Sequence, residues 1–317
     1  MEFRMRTNGK VLLTGEYFVT DGAVALALPT LLGQSISVTP NQQNTAELNW
    51  KSYDCNNDCW FACTFDKKDL SFSLKEDDDE YNAIAERLQN ILLKSKRLNP
   101  DFLNDDATLN VETHLEFDLE WGLGSSATLI TMVASWAKID PFQLLAQTFG
   151  GSGYDIVTST AHGPVIFQRF NGKNRWEKAA FDPPFKENLY FLYLDKKQDS
   201  RAALVHYLVT PEDQRIKDLG RITQISHDIN QYTQNLEDFD ALVLEHENCV
   251  SKILQTPTVK SELFEDYWGA VKSLGAWGGD FVLVTSNKTE ADTKTYFAEK
   301  GFNTIFKYDD FIKQYHK

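Results

Sequence analysis

Hydrophobic and polar side chains alternate along the chain with two different periodicities, one typical of strands and one typical of helices. Residues 108–117 alternate with a period of two, which predicts a strand with one buried face. Residues 81–96 repeat apolar side chains at helical spacing and end near Lys94, Lys96 and Arg97, in the charge order that a helix dipole favours. Strands and helices interleave in both halves without a strict βαβ rhythm, so the pattern predicts an α+β fold.

The remaining segments follow the same two periodicities. Residues 11–38 are rich in Val, Leu, Ile and Ala and are interrupted by glycines and Pro29, which predicts several short strands. Hairpins are predicted over residues 46–72. Further helices are predicted over residues 127–137, 140–149, 212–235, 238–254, 259–274, 289–300 and 309–316, and further strands over 164–170, 189–194, 280–285 and 303–307. Pro183-Pro184 is the best candidate boundary, which predicts domains of residues 1–183 and 184–317.

Composition and charge narrow the classes of partner. The 317 residues include 32 Lys and Arg against 46 Asp and Glu, a net charge of −14. Such a chain lacks the basic excess of a nucleic-acid binder and is repelled by anionic membranes, so neither partner is expected. An anionic substrate would need a local basic pocket. No segment approaches the roughly 20 apolar residues of a membrane span, and no signal-peptide core is found, so a cytoplasmic protein is predicted.

The cysteines do not predict a metal site. Cys55, Cys59 and Cys63 are spaced by four residues, which would align them on a helix. The residues among them have the pattern of a turn followed by a strand, so the segment is predicted to be a hairpin with free thiols.

The segment Trp121-Gly-Leu-Gly-Ser-Ser-Ala127 carries the strongest chemical signal, because it joins a predicted strand to a predicted helix. Glycines let successive N–H groups face a ligand closely, and a helix start adds a positive dipole end, so the segment suits a phosphate. A serine hydroxyl at the helix start can bind Mg²⁺. A Gly-Ser turn that only caps a helix explains the segment equally well when it is taken alone. Neither a Walker loop nor a Rossmann fingerprint is present.

Three weaker segments accompany it. Lys10 and Glu16 flank a short apolar strand, Asp155 follows a glycine turn, and residues 272–281 form a glycine-rich stretch before a strand. A carboxylate such as Asp155 could accept a proton from a substrate hydroxyl, as in phosphoryl transfer to alcohols. Each segment alone is more simply a solvated lysine, a helix-capping aspartate or a linker turn.

Taken in order, these segments resemble the motifs of the GHMP kinases, the superfamily of galactokinase, homoserine kinase, mevalonate kinase and phosphomevalonate kinase. Residues 9–17 resemble the first motif, Gly122-Leu-Gly-Ser-Ser-Ala127 matches the phosphate loop almost letter for letter, and residues 272–280 resemble the third motif. The resemblance implies an N-terminal domain like ribosomal protein S5 domain 2, a ferredoxin-like C-terminal domain, and ATP and Mg²⁺ as cofactors.

The resemblance also implies a role for each matching residue. Asp155 would be the catalytic carboxylate, and Lys10 would lower the pKa of the acceptor hydroxyl. Ser126 and Asp155 would hold Mg²⁺. The residues implied to bind the nucleotide are Gly122, Leu123, Gly124, Ser125, Ser126 and Ala127, and those implied to bind or enclose the substrates are Glu16, Tyr17, Lys197, Ser200, Arg201, Gly275, Gly278 and Gly279.

The acceptor stays open between mevalonate and its 5-phosphate. The spacing from Gly151 to Asp155 resembles phosphomevalonate kinase, and Lys197 and Arg201 suit a carboxylate or phosphate, although a solvated charged loop is an equal reading. Two departures from the family pattern support a catalytically silent sensor as an alternative: no glutamate lies between Trp121 and Trp176, and Trp277 replaces a glycine. A kinase for homoserine or a sugar is a further alternative. Both a monomer and a homodimer are compatible with the sequence.

Overall fold

The computed structural model describes residues 2–42, 45–75, 77–196, 200–275, 277 and 279–315; the side chains of residues 200–203 and 206 lie outside the description. The strands are β1 (Phe3–Thr14), β2 (Val24–Pro40), β3 (Glu47–Tyr53), β4 (Cys59–Asp66), β5 (Leu109–Leu115), β6 (Val165–Phe170), β7 (Lys173–Lys178), β8 (Leu189–Tyr193), β9 (Val271–Leu274), β10 (Phe281–Thr285) and β11 (Ile305–Lys307). The helices are α1 (Asp79–Leu98), α2 (Ser125–Ala137), α3 (Pro141–Gln147), α4 (Tyr154–Thr160), α5 (Ser200–Val209), α6 (Glu212–Gln231), α7 (Leu236–Leu254), α8 (Val259–Leu263), α9 (Glu290–Glu299) and α10 (Tyr308–Phe311). None of the helices in these ranges is long and apolar enough to cross a membrane.

The chain divides into two compact units, and each is made of separate stretches of sequence. Unit 1 comprises Met1–Gly9, Leu32–Leu119 and Gly124–Thr160, and unit 2 comprises Lys10–Leu31, Glu120–Leu123 and Ala161–Lys317. Strands β1 and β2 therefore contribute residues to both. This division into compact units does not test the domain boundary expected at residue 183, so that boundary stays a prediction.

Unit 1 is a sheet covered by helices α1 to α4. Its strands follow the order β4-β3-β5-β2, with β3 parallel to β5 and the other pairs antiparallel. Strand β5 alternates buried and half-buried residues, as the sequence pattern predicts, and the inward Val111 lies opposite both Val38 and Trp50. The buried apolar side chains of the sheet pack against those of the helices, such as Leu92 and Ile130, and form one core.

Helix α1 begins and ends close to the predicted bounds. The side chain of Asp78 accepts a hydrogen bond from the N–H of Tyr81 and caps the first turn, and acidic residues open the helix. Lys96 and Arg97 lie in the last turn, where they interact favourably with the helix dipole. The prediction of a helix over residues 81–96 is confirmed.

Unit 2 contains two groups of strands. The first part of β2 pairs with β6, and β6 continues into β7 as a hairpin. A second, antiparallel sheet has the order β11-β8-β10-β9, and its central strands β8 and β10 are buried along their whole length. Helices α6 and α7 enclose a second apolar cluster, in which Tyr17, Tyr207 and Trp277 are buried.

Some observed elements differ from the predictions. Residues 11–38 are not several short strands after β1, because β2 runs unbroken through Pro29 and Gly33. A side chain at residue 33 would place its Cβ 2.0 Å from the carbonyl oxygen of Thr7, so this glycine permits close strand approach and does not mark a turn. Residues 259–274 are not one helix but α8 followed by β9, and helix α5 was not predicted.

Candidate active site

Three distant segments of the sequence line one pocket within unit 2. Lys10 comes from β1, Gly122 and Leu123 come from the phosphate-loop motif after β5, and Gly275 and Asp280 come from the segment between β9 and β10. These are parts of the three motifs that the resemblance names. The structure therefore brings together residues that lie more than 100 positions apart.

Lys10 is bonded to the backbone of Gly122 and Leu123 in the phosphate-loop motif. The N–H of Lys10 donates to the carbonyl oxygen of Leu123 at 2.9 Å, and its Nζ donates to the carbonyl oxygen of Gly122 at 3.2 Å. Lys10 thus reaches the loop through both its backbone and its side chain, and its ammonium group adds positive charge to the pocket of this acidic protein.

Gly122 is required at its position by both conformation and space. Its φ is 64°, in the left-handed region, and a Cβ there would lie 2.2 Å from Oδ2 of Asp280. Asp280 is itself buried, and its N–H donates to the carbonyl oxygen of Lys196 at 2.7 Å. The Asp280 carboxylate therefore packs directly against the loop.

The second half of the phosphate-loop motif belongs to unit 1, where it starts helix α2. Gly124 is the N-cap residue with a φ of 90°, and no side chain of the described residues caps the helix. Ser126 is exposed in the first turn, whereas Ala127 is buried in the core. Such a helix start presents N–H groups and a positive dipole end to an anion.

Asp155 lies in unit 1 as well, in the first turn of α4 after a glycine-rich turn. Its carboxylate is partly exposed, and Oδ1 accepts a hydrogen bond from the N–H of Ile156 at 3.0 Å. Helix α4 packs against α2, where the hydroxyls of Thr131 and Ser159 lie 3.0 Å apart. Ser126 and Asp155 therefore stand near the starts of two helices that are packed together.

Four buried ionisable side chains of unit 2 contact one another or share Ser273 as a partner: Glu16, His246, Glu247 and Lys272. Nζ of Lys272 donates to Oε1 of Glu16 at 2.5 Å and to the carbonyl oxygen of Ser273 at 2.8 Å. Glu247 accepts hydrogen bonds from the N–H and the hydroxyl of Ser273. We call these four residues the buried charge cluster.

Burial controls the protonation of this cluster. It raises the pKa of Glu16 and raises the pKa of Glu247 to about 7, and the positive charge of Lys272 opposes both shifts. Burial, and then Lys272, lowers the pKa of His246 well below its usual value. His246 is therefore neutral, and its Nε2, which accepts the Gly15 N–H at 2.9 Å, carries no proton. Its contact of 3.2 Å with Glu16 is not an ion pair.

Several predicted site residues lie outside the site described above. Lys197 and Gly278 are outside the described residues, as are the side chains of Ser200 and Arg201 at the start of α5. Gly279 is described and buried beside Asp280. Cys55, Cys59 and Cys63 are free cysteines, and no cluster of three or more metal-ligating side chains occurs within the described ranges.

Comparison with known proteins gives matches only among solved structures, since no family model and no curated protein matches the chain. The mevalonate kinase of Methanococcus jannaschii is 18% identical, with a TM-score of 0.70 over 100% of this chain and 99% of that chain. Lactococcus lactis galactokinase complexed with galactose is 10% identical, with a TM-score of 0.68 over 96% and 92%. Streptococcus pneumoniae phosphomevalonate kinase in complex with phosphomevalonate and AMPPNP is 15% identical, with a TM-score of 0.57 over 96% and 99%.

The chain has the GHMP kinase fold.

The predicted two-domain α+β architecture of the GHMP kinase fold is thereby confirmed. The same fold carries proteins named for mevalonate, phosphomevalonate and galactose, so this likeness does not select an acceptor. The residues of this chain have to provide that information.

Sequence reasoning missed four charged or ionisable residues of this GHMP fold. Lys272 and Asp280 are the first and last residues of the segment that resembles the third motif, and the sequence gives neither of them a role of its own. His246 and Glu247 gave no signal except that a histidine and a glutamate stand in an otherwise periodic helix. A buried charge needs a partner, and the partners here are more than 200 residues apart from Glu16.

Proposed function

We propose that this protein is an ATP-dependent kinase that transfers the γ-phosphoryl group to a small acceptor. The observation that carries the proposal is the pocket in which Lys10, Gly122 and Gly275 meet. Three motifs that are separate in the sequence have no reason to share a pocket if each is only a solvated lysine, a helix cap or a linker turn.

ATP is the proposed phosphoryl donor. Helix α2 begins without a side-chain cap, so its first N–H groups and its dipole suit the phosphates. The phosphomevalonate kinase among the structural neighbours was solved with AMPPNP, an analogue of ATP, which supports the same choice here. The proposed phosphate-binding residues are those of the phosphate-loop motif, Gly122, Leu123, Gly124, Ser125, Ser126 and Ala127.

In the proposed reaction the acceptor oxygen forms a bond to the γ-phosphorus while the bond to the bridging oxygen of ADP breaks. With an alcohol acceptor, Asp155 takes the hydroxyl proton or stabilises its departure, as a catalytic aspartate does in phosphoryl transfer, and Lys10 lowers the pKa of that hydroxyl. With a phosphate acceptor the attacking oxygen is already deprotonated, and Lys10 neutralises charge that develops in the transition state. ADP is the leaving group, and the phosphorylated acceptor is the product.

The oxygen ligands that this chain offers fit Mg²⁺. The exposed hydroxyl of Ser126 and the carboxylate of Asp155 are hard donors, and Mg²⁺ in proteins commonly uses one or two such donors together with substrate phosphates. We propose these two residues as its ligands. When bound, Mg²⁺ would neutralise charge on the phosphates.

We propose mevalonate or its 5-phosphate as the acceptor, in a cytoplasmic enzyme of isoprenoid biosynthesis. The glycine spacing before Asp155 supports this choice, since it resembles phosphomevalonate kinase. Lys197, Ser200 and Arg201 are proposed to bind the carboxylate or phosphate of the acceptor.

A coupled assay of ADP release with Mg·ATP tests the proposal, with mevalonate, phosphomevalonate, homoserine and galactose as acceptors. We expect turnover on one of the first two and a loss of at least about a hundredfold in kcat for Asp155→Asn. Asp140→Asn is the matched control, because Asp140 caps α3 by accepting the N–H of Phe142 and is not placed in the site. Equal activity of the Asp155→Asn and Asp140→Asn variants would refute a catalytic role for Asp155.

The alternative of a silent sensor now has weaker support. Trp277, which departs from the family pattern, is a buried packing residue whose indole Nε1 donates to the carbonyl oxygen of Pro257 at 3.1 Å. Its presence therefore has a structural reason that is independent of lost catalysis. Binding of ATP without turnover on any acceptor would favour the sensor.

A further inference from the structure

The turn that ends strand β1 is bonded to three other parts of unit 2. The N–H of Gly15 donates to Nε2 of His246 in α7, and Glu16 accepts Nζ of Lys272 in β9. The hydroxyl of Tyr17 accepts the N–H of Trp277 at 2.9 Å. Three consecutive residues thus hold a helix, a strand and a loop.

Glu16 and Tyr17 both contact the glycine-rich segment after β9, of which the structure describes Gly275, Trp277, Gly279 and Asp280. We call these four residues the glycine loop. The N–H of Gly275 faces the carboxylate of Glu16 and favours its charged form. Trp277 is bound through its N–H to Tyr17. The start and the middle of the glycine loop are therefore both attached to the turn after β1.

Glu16 and Tyr17 are also poorly placed to meet a substrate from solvent. Only 2% of Glu16 and 7% of Tyr17 is exposed. The ring of Tyr17 stacks on that of Tyr207, with centroids 5.7 Å apart, inside the apolar cluster of unit 2. Oε1 of Glu16 accepts Nζ of Lys272, and the hydroxyl of Tyr17 accepts the N–H of Trp277. Both donors would be left unsatisfied if these side chains turned away.

We propose that Glu16 and Tyr17 are positioning residues, which hold the glycine loop at the pocket and do not touch the acceptor. This inference rests on the proposed function, since the pocket is the proposed nucleotide site. Gly275 and Asp280 line that pocket together with Lys10, so loss of an anchor would displace the loop from the nucleotide. The resemblance to the family implies acceptor contacts for the same two residues, so the two assignments predict different kinetics.

The test compares Tyr17→Phe with Tyr207→Phe. Both changes remove one hydroxyl from neighbouring stacked rings, but the hydroxyl of Tyr207 donates to Asp21 and has no bond to the glycine loop. The measurements are the Kd of Mg·ATP by calorimetry, amide exchange of the segment that contains Trp277, and the KM of the acceptor.

We expect Tyr17→Phe to raise the Kd of Mg·ATP about three- to tenfold, the value of one hydrogen bond, and to accelerate amide exchange at Trp277. The acceptor KM should stay within about twofold, and Tyr207→Phe should leave all three quantities unchanged. A raised acceptor KM with an unchanged Kd for Mg·ATP would overturn the inference, and so would unchanged amide exchange.

The two proposals fail in different ways. If the unmodified protein binds Mg·ATP but phosphorylates no acceptor, the proposed function fails, while the Kd and exchange measurements still decide the role of Tyr17. If it does not bind Mg·ATP, both proposals are refuted. Should Tyr17→Phe not fold, Glu16→Gln removes the charge at the other anchor and is expected to give the same pattern of Kd and exchange.

Discussion

Replacing Lys272 with methionine would remove the positive charge from the buried charge cluster while keeping most of the side-chain volume. Lys272 is 1% exposed and lies 2.5 Å from Oε1 of Glu16. The change leaves the carboxylates of Glu16 and Glu247 buried without a cation. Breaking a buried pair in this way costs about 3–5 kcal/mol in the free energy of unfolding, because an uncompensated charge remains.

A double-mutant cycle measures the part of this loss that belongs to the pair. The free energy of unfolding is obtained from guanidinium denaturation at pH 8 for Lys272→Met, Glu16→Gln and the double variant. The double variant removes both charges, so we expect its loss to be smaller than the sum of the single losses by about 2 kcal/mol. The loss in Lys272→Met should shrink as the pH falls, because a protonated Glu16 no longer carries a buried charge.

An exposed pair supplies the control for the same substitution. Nζ of Lys294 lies 2.7 Å from Oε1 of Glu290 in α9, with both side chains more than 40% exposed. Solvent screens this pair, so Lys294→Met should cost much less free energy of unfolding than Lys272→Met. Equal losses for Lys272→Met and Lys294→Met, or strictly additive losses in the cycle, would refute the view that Lys272 compensates a buried carboxylate.

Two further predictions concern stability. The pKa of Glu247 is about 7 in the folded protein against 4.5 ordinarily, so the folded state binds the proton of this group more tightly than the unfolded state does. The free energy of unfolding should therefore fall by about 3 kcal/mol as the pH rises from 4.5 to 7. Glu247→Gln should flatten that part of a curve of stability against pH, and an unchanged curve would contradict the assignment. Gly33→Ala would place a Cβ 2.0 Å from the carbonyl oxygen of Thr7, which should lower the free energy of unfolding by roughly 1–3 kcal/mol or more and the melting temperature with it. Gly220→Ala in α6, where a Cβ meets nothing within 4 Å, should raise the melting temperature slightly. A higher melting temperature for Gly33→Ala than for Gly220→Ala would refute this interpretation of the two glycines.

The local sequence pattern predicts those helices whose capping residues and charges lie within one continuous segment. Helix α1 has its capping residue Asp78, its acidic start and its basic end within one continuous segment, so its bounds were predicted to within about two residues. Residues 259–274 have apolar side chains at spacings that a helix would also show. They divide into α8 and β9 because β9 pairs with β10, and the Cβ of any residue at Gly269 would lie 1.8 Å from the carbonyl oxygen of Thr285. That partner is invisible in the local pattern.

The candidate site shows the same limit. Lys10, Gly122 and Gly275 could be named from the sequence because their motifs resemble those of a known superfamily. The buried charge cluster could not be named in this way, because Glu16 and Lys272 are 256 positions apart and the sequence around either residue does not indicate its partner. Trp277 was interpreted as a departure from the family pattern, and only its contacts give it a packing role.

The two parts of unit 2 are synthesised at different times on the ribosome, because the segment between them belongs mostly to unit 1. Unit 2 begins with Lys10–Leu31 and is completed only by residues from Ala161 onward. At usual rates of synthesis the first stretch would wait on the order of ten seconds for most of its packing partners. During that interval the apolar residues of the first stretch, among them Leu13, Phe18 and Leu26, have no finished core to enter. No single cut in the chain would release either unit whole, so production of this protein in cells should depend on protection of the nascent N-terminal segment.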